Sequence, residues 1–73
     1  MKKKVERING NQLLLSSIVG KTTKEGKDLA NFNGYLFRIL REDDERFFVT
    51  MELRTDRIQV EIDNGIITKA SIS

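Results

Sequence analysis

No cysteine and no histidine occur among the 73 residues of this chain, so neither a disulfide nor a Cys/His zinc site can staple it. A chain this short buries only about 60% of the surface it exposes when unfolded, which leaves a thin stability margin. The core must be built from Leu, Ile, Val, Phe and Met, or be extended by association with another copy. Proline is absent as well, so the sharp connections fall to Gly, Asn and Asp.

The same absences limit the chemistry. Acid–base work would fall to Asp, Glu, Lys or the single Tyr35. Val19-Gly20-Lys21-Thr22 echoes only the tail of a phosphate-binding loop, without its first glycine at the required spacing. Glu42, Asp43, Asp44 and Glu45 are consecutive; they lack the spaced ligands and turn glycine of a calcium loop and read as a solvated charge run. The expectation is a binding protein, not an enzyme, with no cofactor and no metal.

Charge is uneven. Residues 1–27 carry seven basic groups against two acids, and residues 28–73 carry six against nine. No aromatic residue interleaves the N-terminal lysines, so this half reads as a solvated leader and not as a nucleic-acid surface. After Met1-Lys2-Lys3-Lys4 the first apolar run is Leu13-Leu14-Leu15. That is too late and too short for a secretory signal or a membrane span, so a cytoplasmic location is expected.

Local signals mark the elements. Asn9-Gly10 between Val5 and the leucine run is a tight-hairpin signal, and a helix through residues 12–18 is the second choice there. Thr22-Thr23-Lys24-Glu25 has the form of a capping box. Gly26, Leu29 and Ala30 follow at helical spacing, and Asn33-Gly34 supplies a stop. One helix over 23–32 is predicted, with Gly26 and Ala30 small enough to let it lie close on a sheet. Strands are predicted near 35–41, 47–53, 57–63 and 66–72, the last two joined at Asn64-Gly65. Leu29, Phe37, Ile39, Val49, Ile58, Val60 and Ile62 are the expected core. The fold class is α+β, one helix on a small mixed four-stranded sheet.

One stretch resists this scheme. Val49, Met51 and Leu53 alternate with Thr50 and Glu52 as in a strand; then Arg54, Thr55, Asp56 and Arg57 interrupt before alternation resumes at Ile58. This run resembles the reactive loop and following strand of the potato inhibitor I family of serine-protease inhibitors. It is also similar to the bacterial elastase-inhibitor-like family, with its pattern Thr-Met-Asp-Tyr-Arg-Pro-Asp-Arg-Leu-Asn-Val. The likeness extends over residues 18–73 and leaves 1–17 as an N-terminal extension. It implies a potato-inhibitor-I-like fold and a loop of Thr50, Met51, Glu52, Leu53 and Arg54 that fills a protease cleft, offering the bond between Met51 and Glu52. Arg57 would support the loop by bonding Thr50 and Glu52 from beneath. The chain departs from these families at Gln59, where the plant pattern has a second supporting arginine, and at Thr55, where the bacterial pattern has proline.

A second reading is sequestration of a small anionic nucleotide signal, of the ADP-ribose or cyclic-nucleotide kind, by a phage-type anti-defence protein. Tyr35, Arg38, Arg41, Arg46, Phe48, Arg54 and Arg57, with Phe47, would then grip phosphates and stack a base. A homodimer is expected in either case, because Leu13, Leu14, Leu15 and Ile18 lie at or beyond the edge of the family-like domain and would be buried between subunits. Neither a nucleic-acid polymer nor a membrane is an expected partner.

Overall fold

The computed structural model of the chain describes residues 10–48 and 52–73. These form a small α+β unit of two helices, α1 (Asn11–Ile18) and α2 (Thr23–Phe32), and four strands. The strands are β1 (Leu36–Glu42), β2 (Glu45–Arg46), β3 (Arg57–Asp63) and β4 (Ile66–Ile72). They lie in the order β2-β1-β3-β4, with β1 and β3 parallel and the two outer pairs antiparallel. Among the described residues no helix is long and apolar enough to cross a membrane.

α2 occupies the predicted residues, and its ends show why. The Thr22 hydroxyl accepts from the Glu25 amide at 3.2 Å, while the Glu25 carboxylate accepts from the Thr22 amide at 3.1 Å. Together these satisfy two amides that a helix start otherwise leaves unpaired. At the other end Gly34 sits at φ 85°, the left-handed region that a side chain disfavours. There the Tyr35 amide donates to the Ala30 carbonyl and the Gly34 amide to that of Asn31, the paired bonds of a Schellman stop. Gly26 sets the distance between α2 and the sheet. A Cβ there would stand 2.2 Å from Ile67 Cδ1, a side chain that is itself fully buried.

The N-terminal segment corrects the sequence reading. Residues 11–18 form a helix, the second choice there, and not the second arm of a hairpin. Gly10, at φ 89°, introduces this helix, and its carbonyl accepts from Leu14. Leu14 and Ile18, four residues apart, share one helix face and are 1% and 0% exposed in the core. The boundary expected after residue 17 thus falls inside α1, and there are two helices where one was expected. Leu14 and Ile18 fill the chain's own core and are not held in reserve for a partner copy.

The core lies between the helices and one sheet face. Ile58, Val60 and Ile62 are buried as expected, joined by Leu14, Ile18, Ala30 and Ile67. Leu29, Phe37 and Ile39 pack against this cluster only partly buried. Val49 lies outside the described residues. Of the strand expected at 47–53, residues 49–51 lie outside the described residues and Phe47, Phe48, Glu52 and Leu53 lie outside any strand, while the short β2 falls before it at Glu45–Arg46. β2 runs antiparallel along one edge of β1, whereas β3 runs parallel along the other, so the chain must pass the start of β1 before β3 can begin.

Candidate functional site

The passage from β2 to β3 ends in a knot of polar bonds. Arg57 opens β3 and is only 7% exposed. Its Nη1 donates to Glu52 Oε1 at 3.1 Å, its Nη2 to the Glu52 carbonyl at 3.5 Å, and its Nε to the Ser73 carbonyl at 3.0 Å. The Ser73 amide donates back to the Arg57 carbonyl at 3.1 Å. One planar guanidinium therefore ties the loop to the far end of β4, which suits its rigid fork of donors better than a lysine ammonium.

Three further bonds hold the same stretch. Arg54 grips Asp56 with both donors, at 2.8 and 2.9 Å, and the Asp56 carbonyl accepts from the Leu36 amide at 2.7 Å. Leu53 stands between these anchors, 94% exposed. A short surface segment is thus fixed at Glu52, Arg54 and Asp56 while its apolar side chain points into solvent. Thr50 and Met51, the other predicted loop residues, lie outside the described residues. Of the two loop-support bonds expected from Arg57, the one to Glu52 is present, and the one to Thr50 falls on that segment.

The electrostatics follow the geometry. The hydrogen bond from Arg57 holds the Glu52 carboxyl below the ordinary range for glutamate, and that from Arg54 does the same for Asp56. Groups with pKa values depressed in the folded state stabilise it above their unfolded pKa, roughly pH 4, and lose that contribution as pH falls through the folded value. The loop is therefore expected to be fully braced at neutral pH and to loosen in acid. A carboxyl-detected NMR titration should place Glu52 below its unfolded value, and Arg57→Ala should move it back up. An unshifted Glu52 would mean the brace is absent in solution.

The predicted ligand-gripping arginines lie on or near the sheet face turned away from the helices, and most are already engaged. Arg38 donates through Nε (3.1 Å) and Nη2 to Gln59 Oε1. Arg41 makes a two-pronged contact with Asp63, both bonds at 2.8 Å, and a third bond to Glu61 at 2.7 Å. Thr68 adds its hydroxyl to Asp63 at 2.7 Å. These neighbours hold the Asp63 carboxyl far below its ordinary range, chiefly through Arg41. Arg46 carries no ion pair among the described residues.

Tyr35 is on the other side. It packs against the core, and its hydroxyl donates to Asn11 Oδ1 at 2.7 Å, pinning the start of α1. Phe48 is fully exposed and Phe47 partly so. Among the described residues, Tyr35 lies apart from the arginines and Phe48. Sequence reasoning missed that Arg38 and Arg41 have their acceptors on β3. The signal was the run Gln59, Glu61, Asp63 at alternate positions, which places three acceptors on one face beside the strand that bears the arginines.

No protein-family model matches the chain, and no curated protein matches it.

Proposed function

We propose that this protein acts without catalysis, as a stoichiometric binder of a serine protease, presenting residues 50–54 to the cleft as a substrate would. The observation that carries this reading is the buried Arg57 bonded to both the side chain and the carbonyl of Glu52. A brace of this kind adds little to the hydrophobic core. Its effect is to remove conformational freedom from an exposed loop beforehand, which lowers the entropy lost on binding. If the bond between Met51 and Glu52 is cut, Glu52 stays attached to Arg57, so the new amino end is held in place.

The nucleotide-sequestration reading has less support, because Arg41, Arg54 and Arg57 spend their donors on the protein's own carboxylates. A phosphate would have to displace carboxylates from Arg41, Arg54 and Arg57.

Titration of chymotrypsin-like and subtilisin-like proteases that accept an apolar residue before the cut tests the proposal. The expected result is a linear loss of activity to a one-to-one end point, with the bond after Met51 largely intact by mass spectrometry. Rapid cleavage there without inhibition would overturn it.

A further inference from the structure

Beside the loop lies a groove of about 550 Å³, lined by Thr23, Lys27, Phe37, Arg38, Ile39, Phe47 and Phe48. It arises from the shortness of β2. Only Arg41 and Glu42 of β1 pair with β2, so residues 37–39 lie beyond its end, with α2 on one side and Phe47 and Phe48 on the other. We infer that this groove binds a small aromatic anion, a planar ring carrying a carboxylate or a phosphate.

The composition of the lining supports both halves of that ligand. Three phenylalanines and an isoleucine offer apolar and ring surface. Phe48 is fully exposed, so a flat ligand covering it would remove from water a ring that the fold leaves there. The charge is one-sided: Lys27 and Arg38 contribute two cations, and no lining residue is acidic. Neither cation is in an ion pair among the described residues. Among the described residues Lys27 has no carboxylate partner, the nearby lysine–aspartate bridge being between Lys24 and Asp28. Arg38 is oriented by the neutral Gln59 amide, which fixes its guanidinium without cancelling its charge. This contrasts with Arg41, Arg54 and Arg57, each matched to a carboxylate. An anion would thus meet an oriented guanidinium that is in no ion pair among the described residues, and an exposed ammonium.

Phenyl phosphate, phenylacetate, benzyl alcohol and inorganic phosphate are the probes, followed by amide chemical shifts of the whole chain. Saturable shifts confined to residues 23–27, 37–39, 47 and 48 are expected with phenyl phosphate or phenylacetate, and the tighter of the two distinguishes a phosphate ligand from a carboxylate. Lys27→Glu and Phe48→Ala, both at exposed positions, should each weaken binding by about tenfold or more while leaving the remaining spectrum unchanged. Several results would overturn the inference: no saturation by about 10 mM, shifts mapping elsewhere, benzyl alcohol or inorganic phosphate binding as tightly, or no effect of Lys27→Glu. Lys27 lies on α2, outside the loop offered to a protease, so Lys27→Glu should inhibit as the parent does. The groove and the inhibitory loop therefore stand or fall separately.

Discussion

Leu14→Ala should destabilise the protein by about 2–5 kcal/mol, since it removes a fully buried side chain and leaves a cavity between α1, α2 and the sheet. Total stability for a domain of this size is expected at about 4–11 kcal/mol, so the variant should show a much lower urea midpoint or fail to fold at moderate temperature. Its neighbour provides the control. Leu13 is 64% exposed, and Leu13→Ala should change stability by no more than about 0.5 kcal/mol. The contrast tests the largest correction to the sequence reading, that α1 belongs to the domain. Equal and small effects at both positions would mean α1 is an appendage, and the core would then have to be found without it.

Arg57→Ala should produce the second large effect, and in a different quantity. Glu52 would lose its charged donor and the loop its tie to Ser73, while Ile58, Val60 and Ile62 would remain packed. Stability should fall by only about 1–2 kcal/mol. Cleavage between Met51 and Glu52 should rise about tenfold to a hundredfold, because the freed loop can adopt the geometry a protease needs and can leave after the cut. Arg57→Lys keeps the charge but not the fork, and should fall between the two. Mass spectrometry of a timed digest reads the site and the rate. If Arg57→Ala is cut no faster than the parent, the bond to Glu52 is merely part of the sheet edge and the inhibitory reading loses its support.

What proved legible in the chain was set by short-range physics. Thr22 and Glu25 close on each other within one helical turn, so the start of α2 is written in four residues. Asn64 and Gly65, at φ 53° and 77°, form the two-residue turn that their identities favour. Ile58, Val60 and Ile62 are buried on one face because a strand alternates its side chains, whatever lies opposite. The link between Arg57 and Glu52 spans only five residues, and the interrupted alternation around it already marked the place.

Tertiary structure decided what depends on distant partners. A leucine run after Asn-Gly is compatible with a hairpin or a helix; the helix prevails because only its spacing brings Leu14 and Ile18 together against Ile67 and α2. The charges on Arg38 and Arg41 meant opposite things until β1 lay parallel to β3. In that register Arg38 faces the neutral Gln59, whereas Arg41 faces Glu61 and its charge is paired with carboxylates. The groove beside Phe47 and Phe48 likewise exists only because α2 and β1 pack next to them. Local sequence sets which conformations are cheap for each segment, but which surface a side chain meets is fixed only when remote segments pack.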